Sequence, residues 1–400
     1  MMDIIPIYNS EESDEENVEF DFGEAEEIEQ LNVNSFYESS KKRRRTPEDD
    51  AKFPKNIKLK EDLTIDDVVR QHTLPLLPAK SLCRFKTVSK EWETRIMSPF
   101  LAHQQSNNFK DISGLFCQSP GEDPSFISFD QDAYGVPSPS LNFLPEHVNI
   151  RSTCNGLVCC GSYPGNERYY ICNPVTRKWK ELPEPILYHG PEVAVALAFE
   201  PATFNFDANY ELVCAIILPD YPVVYFEIYS SRTSSWRVSN TTCRELDFFK
   251  LRSDGFYWKG NIYWETSSGA VLAFDLKYEE YGILPCPMSI DPNGVFTELH
   301  GELCYILPQV QDDACTVLVY GNLDMSLKSV IALDPQALGY IDDRLVRVLT
   351  CINNDTLIIT LRNGVYAYNV TYQRKKFLSS NSGYAKYLPY VNSLATVGSV

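Results

Sequence analysis

Four segments between residues 171 and 377 share one form: a strand, a polar turn, and a second strand that opens on an aromatic. They are Ile171–Trp179, Ile228–Trp236, Ala273–Tyr281 and Ala367–Phe377. The aromatics Trp179, Trp236, Tyr281 and Phe377 lie 57, 45 and 96 residues apart, the last being twice 48. A second series sets a tight turn before an apolar strand at Gly156, Gly260, Gly301 and Asp355, spaced by 104, 41 and 54 residues. A four-stranded unit of forty to fifty residues is the blade of a β-propeller, stable only when neighbours cover its faces. Residues 109–400 therefore predict an all-β propeller of roughly six blades. Because the repeat is degenerate, a pair of β-sandwiches is the alternative. The last apolar run, Tyr387–Val397, suits either a strand that closes the ring on an earlier blade or an ordinary final strand.

Residues 61–108 change character. Ile65, Val69, His72 and Leu76 recur at helical spacing, which gives 65–76 one apolar face. Pro75, lacking a backbone donor, ends or kinks that helix. Pro78 suits the first turn of a second helix with Leu82 and Phe85 inward. Ser89 is a good N-cap for a third helix that carries Trp92 and Ile96 and stops near Pro99. Three short helices cannot fill a core of their own, so their apolar faces are expected to bury against a partner. Lys80, Arg84 and Lys86 read as a solvated basic face.

Residues 1–60 are expected to be a disordered tail. The first forty carry thirteen acids and no Lys or Arg, and offer too little apolar area to offset chain entropy. Ser10 and Ser13, each beside acids, suit an acid-directed kinase, with a plain solvated tail as the alternative. Residues 41–60 hold nine bases against three acids. Within them Lys41, Lys42, Arg43, Arg44 and Arg45 form a short exposed cluster of the kind a nuclear import signal uses. The rest of the chain carries a net −11, which disfavours a general nucleic-acid surface. No apolar run is long enough to span a membrane and the acidic start is unlike a signal peptide. The chain thus reads as nuclear or cytoplasmic, with its twelve cysteines reduced and mostly buried.

Catalytic patterns are missing. There is no phosphate-binding Gly loop, zinc-protease helix or nucleophile elbow, and neither the cysteines nor the five histidines have metal-ligand spacing, so no cofactor is expected. Asp207, Asp247, Asp254, Asp275 and Asp291 fall in or near turns, where an aspartate usually bonds its own backbone. Trp179, Trp236, Trp258 and Trp264 follow the repeat and read as blade packing.

The run Leu77-Pro-Ala-Lys-Ser-Leu-Cys-Arg-Phe-Lys-Thr-Val-Ser-Lys-Glu-Trp92 resembles the heart of the F-box, and Ser98-Pro-Phe-Leu-Ala-His103 resembles its tail. Cys154–Cys159, Asn173–Trp179 and Tyr387–Val397 resemble the domain that follows the F-box in a large plant class, a kelch-like β-propeller. The family's usual Leu-Pro at the start of the first helix is replaced here by Leu63-Thr64 or Ile65-Asp66. The resemblance implies a tail over 1–60, a three-helix F-box over 61–108 and an F-box-associated domain over 109–400. It implies a non-catalytic receptor that joins a Skp-type adaptor and, through it, a cullin/RING scaffold. Such a receptor holds a protein substrate, unknown here, for ubiquitination and degradation; an adaptor-binding scaffold without a degradative role is the alternative. Adaptor contact would fall to Ile65, Val69, Leu76, Pro78, Leu82 and Val88, with Phe85, Trp92 and Ile96 as F-box core.

Overall fold

The computed structural model describes residues 68–398 except 166–167, 191–192, 218–222, 247–250, 253, 268, 286–293, 312–313, 322–323, 339–345, 363 and 381–384. Ile65, the basic cluster Lys41–Arg45, Ser10, Ser13, Asp247 and Asp291 lie outside the described residues.

A ring of six β-sheets forms most of the protein. β1 (Ile112–Gln118) and β2 (Ser125–Ser128) begin it. Five four-stranded antiparallel sheets follow in chain order. The first holds β3 (Val148–Cys154), β4 (Leu157–Ser162), β5 (Tyr169–Asn173) and β6 (Lys178–Glu181). The next holds β7 (Ala194–Ala198), β8 (Glu211–Ile217), β9 (Val224–Ser230) and β10 (Ser235–Cys243). Then come β11 (Phe256–Trp258), β12 (Asn261–Glu265), β13 (Ala270–Asp275) and β14 (Glu280–Pro285). β15 (Val295–Leu299), β16 (Glu302–Gln311), β17 (Ala314–Gly321) and β18 (Ser326–Leu333) make the fifth blade. The sixth is β19 (Arg347–Ile352), β20 (Thr356–Leu361), β21 (Gly364–Asn369) and β22 (Arg374–Ser379). β23 (Lys386–Val391) then returns to pair antiparallel with β1, in the register Leu115–Pro389, Phe116–Leu388 and Cys117–Tyr387. Of the two expectations for the C-terminal run, ring closure is the one realised. It makes one blade from the two ends of the ring and removes the edges that an open ring would expose.

The turn chemistry explains why these sequences form blades. At the turn before each outermost strand a residue adopts a left-handed conformation: Arg177, Ser234, Glu279, Met325 and Gln373, with φ between 49° and 55°. Asn or Asp at the end of the preceding strand holds several of these turns. Asn173 Oδ1 accepts from the N–H of Val175 at 2.9 Å. Asp275 Oδ1 accepts from Lys277 at 2.8 Å and Tyr278 at 3.0 Å, and Asn369 Oδ1 from Tyr372 at 2.8 Å. Asp275 thus bonds its own turn, as expected for an aspartate at that position. Between blades the filling is apolar, with Trp264, Tyr229 and Phe226 fully buried. One buried carboxylate in the core is well partnered. Glu227 accepts from the N–H groups of Ile186 at 2.6 Å and Leu187 at 3.0 Å, lies 3.0 Å from His189 Nε2, and so pins the β6–β7 connection.

Three helices precede the ring: α1 (Ala79–Phe85), α2 (Lys90–Ile96) and α3 (Pro99–Asn108). The expected first helix over 65–76 differs. Its described part is a π turn, Val69–Thr73, followed by a 3-10 turn, Leu74–Leu76, because Pro75 stands at the start of the latter and blocks a continuous α-helix. Pro99 also acts differently from the expectation. It does not merely stop α2; with Ser98 as N-cap it opens α3, where a missing N–H costs nothing.

Candidate partner-docking faces

The helical segment is capped from both near and far. Ser89 Oγ accepts from the N–H of Trp92 at 3.2 Å, and Ser98 Oγ from that of Leu101 at 3.2 Å. α1 starts at a proline and has no side-chain cap of its own. Its first donors go instead to Asn392, just beyond β23. The N–H of Ala79 meets the Asn392 carbonyl at 3.1 Å, and that of Lys80 meets Asn392 Oδ1 at 2.9 Å. Asn392 Nδ2 donates to the Gly135 carbonyl at 2.9 Å, and its N–H donates to Ser113 Oγ at 3.0 Å. Gln105 on α3 completes the clamp: its amide donates to the Leu77 carbonyl at 3.1 Å and accepts from the Leu394 N–H at 2.8 Å. Both amide side chains are fully buried, so their own ends of these bonds are shielded from water.

The same face is apolar around the clamp. Leu74, Ala79, Leu82, Ile96 and Leu101 share one core with Phe116, Leu388, Tyr390 and Leu394 of the propeller. The helices therefore bury one side within the chain itself, a solution not foreseen when they were expected to need a partner. Leu82, expected at an adaptor contact, is 0% exposed and faces this shared core. Phe85, expected inside, is instead exposed and lies edge-on to Trp92 with ring centroids 5.9 Å apart. Its place at the last residue of α1 carries it past the layer that Leu82 fills. Ile96 is buried and Trp92 half-buried against the shared core.

The opposite side stays open. Leu76 is 59% exposed, Val88 64% and Phe100 60%, and Met97 is exposed as well. Val69 and Pro78 are half-buried, while His72 is exposed. Solvated side chains of this size within one short segment make it a candidate interaction surface, since scattered single apolar residues are normal but a group of them is not.

Two of the basic residues, Lys80 and Arg84, reach backbone carbonyls, although Arg84 stays exposed. Lys80 Nζ donates to the Tyr134 carbonyl at 3.0 Å and to that of Gln131, and Arg84 Nη1 reaches the Asp132 carbonyl at 3.4 Å. They grip the loop after β2, which Asp130 caps through the N–H groups of Asp132 at 2.9 Å and Ala133 at 3.1 Å. Those two donors hold the Asp130 carboxyl below the ordinary carboxylate range.

A groove of about 340 Å³ runs between the fifth and sixth blades, with Leu299, Cys304, Cys351 and Leu357 below and His300, Lys328 and Asp355 at its rim. At the start of the inner strands Lys386 Nζ donates to the Arg151 carbonyl at 3.0 Å and lies 3.7 Å from Asp254. Among the described residues no group of three or more His, Cys, Asp or Glu side chains is placed to hold a metal ion, and no helix is long and apolar enough to cross a membrane. The eleven described cysteines are free, and burial pushes several thiols up, Cys154 to about 12.

Residues 130–318 match the F-box associated beta propeller domain family. Over that span the ring is similar to the F-box-associated propellers. Its closed form extends beyond the matched span on both sides, from β1 to β23. The chain is similar to the Arabidopsis thaliana F-box protein At5g07610, 33% identical over 245 residues that make up 56% of each chain. It is similar to At5g49610, another F-box protein of that plant, at 29% over 237 residues, 56% of this chain and 65% of that one. The F-box/kelch-repeat protein At3g23880 of the same plant is 22% identical over 363 residues, 80% of this chain and 94% of its own. The chain spans between half and two thirds of the length of the first two relatives. The propeller thus meets the helical segment across a shared core, and the clamp at Asn392 ties the two together.

Asn392, Gln105 and their bonds were not read from the sequence. The nearest signal was the polar pair Asn392-Ser393 inside an otherwise apolar run, and nothing in one sequence connects it with Lys80.

Proposed function

We propose that this chain is the substrate-recognition subunit of a Skp–cullin–F-box-type ubiquitin ligase. The segment around Leu77–Trp92 acts as an F-box and docks to a Skp-type adaptor, and the propeller holds a protein substrate. The observation that carries this reading is the open apolar side of the helices, Leu76, Val88, Met97 and Phe100, next to an F-box-associated propeller. Burying such side chains against an adaptor removes apolar area from water, and the shared core on their other side keeps them from turning inward. Leu76 and Val88 remain assigned to the adaptor; Val69 and Pro78 lie at its margin, and Leu82 acts through the core. The receptor does no chemistry of its own in this scheme and raises the local concentration of substrate at the ubiquitin-charged enzyme. The loops of the propeller, including the groove between its fifth and sixth blades, offer the substrate surface. The basic cluster Lys41–Arg45 directs nuclear import.

The test is direct binding of the full chain to a purified plant Skp-type adaptor. Leu76→Asp with Val88→Asp is expected to abolish binding while leaving the melting temperature unchanged. Undiminished affinity in that variant would overturn the docking role. A captured substrate whose half-life ignores proteasome inhibition would instead favour a scaffold without a degradative role. Replacing Lys41–Arg45 by alanines is expected to shift a fluorescent fusion out of the nucleus, and an unchanged distribution removes the import role.

A further inference from the structure

We propose that the loop between β7 and β8, led by Phe204 and Phe206, forms a second contact for the Skp-type adaptor, supplied by the propeller and continuous with the helical face. This rests on the adaptor-docking reading above. Phe204 is 100% exposed, in contrast to the other aromatics of the neighbouring strands, and Phe206 is exposed as well. A phenylalanine wholly in water at a loop tip gains nothing for the fold and is available for an interface.

The loop is not a loose excursion. Asn205, between the two phenylalanines, donates through Nδ2 to the carbonyls of Glu200 at 3.1 Å and Asn209 at 2.9 Å. Its Oδ1 accepts from the Asn209 N–H at 2.7 Å. Asn155 Nδ2 ties the base of the loop through the Phe199 carbonyl at 2.7 Å. The turn therefore holds Phe204 outward before any partner arrives, and little ordering entropy is left to lose on binding.

Continuity with the helices identifies the occupant. The Phe206 ring lies against His103 on α3, with ring centroids 5.0 Å apart. Phe100, one helical turn before His103, is among the open apolar residues assigned to the adaptor. Phe100, His103 and Phe206 thus form one surface that crosses from helix to propeller, and Phe204 extends it. A partner that covers Phe100 meets this loop next. An adaptor bound to both elements would be fixed in its angle to the substrate-holding ring.

The experiment compares the affinity of the full chain for a purified plant Skp-type adaptor with that of Phe204→Asp and Phe206→Ala. Phe204 packs against nothing, so Phe204→Asp is expected to keep the melting temperature and weaken binding about tenfold, as for an aromatic interface anchor. Phe206→Ala, judged beside its own melting curve, is expected to weaken binding in the same direction. Affinity within about twofold of the unaltered chain for Phe204→Asp overturns the proposal while the docking reading stands. A change confined to self-association would assign the loop to a second copy of the chain and overturn it too. Failure of the unaltered chain to bind the adaptor overturns the docking reading and, with it, this one.

Discussion

The side-chain carbonyl of Asn392 accepts the Lys80 N–H at 2.9 Å, joining residues 312 apart in sequence at the first turn of α1. One residue beyond the closing strand thus caps a helix that comes before the first blade. The cap is a buried one, and it replaces the side-chain cap that Pro78 cannot give.

Asn392→Ala should therefore cost far more than a surface change. It leaves the Lys80 N–H and the Gly135 carbonyl without their buried partner, which predicts a loss of about 2 to 4 kcal/mol. Chemical denaturation measures this directly. Hydrogen exchange should show the amide of Lys80 opening before the strands do. A loss under about 0.5 kcal/mol would show that the clamp contributes no more than an exposed site.

Leu82 and Leu76 make a matched pair for separating stability from docking. Leu82→Ala removes side-chain volume from a fully buried site and is expected to cost about 2 to 5 kcal/mol. Leu76→Ala, at an exposed site, is expected to stay within about 0.5 kcal/mol in stability yet weaken adaptor binding. If Leu76→Ala proved the more destabilising of the two, the assignment of inner and outer helix faces would fail.

Glu227 gives a prediction within the ring. Its carboxylate bonds two backbone N–H groups and faces His189, whose Nδ1 lies 2.9 Å from the Tyr169 hydroxyl. Glu227→Ala breaks a wholly buried set and is expected to cost about 3 to 5 kcal/mol, with Glu227→Gln costing less because it keeps an acceptor. Thermal melting of the two variants tests the order.

Acid should loosen the loop that Lys80 grips. Asp130 has a folded-state pKa below its unfolded value, so its stabilising effect is present above the unfolded pKa and is lost as pH falls through the folded one. Amide resonances of Asp132 and Ala133 are therefore expected to shift only as pH falls below the ordinary aspartate range. In Asp130→Asn, which keeps an acceptor but does not titrate, that response should vanish. A full response in the variant would assign it to another group.

Much of the ring was legible because its turns repeat. Asn173, Asp275 and Asn369 end their strands in the same way, and each is followed by a left-handed residue and an outer strand. The fifth blade escaped notice at this turn. Its outer strand begins Ser326-Leu327 where three other blades place Trp179, Trp236 and Tyr281, although Met325 takes the same left-handed conformation. The helices were legible one at a time, since Ser89 and Pro78 signal locally. Which side of them faces inward was not, because that depends on Phe116, Leu388 and Tyr390, brought there by closure of the ring. Phe204 was not singled out for a related reason: exposure is a property of the folded surface.

Closure by β23 also sets an order in time. The chain emerges from its N-terminus, so the helices of 79–108 are made long before Asn392 and Leu394, the residues that cap and seat them. Until synthesis has passed residue 394, α1 lacks its distant cap and the shared core lacks β23. The helical face proposed to dock an adaptor is therefore among the last parts of the molecule to mature, and under that proposal an unfinished chain would present an incomplete handle.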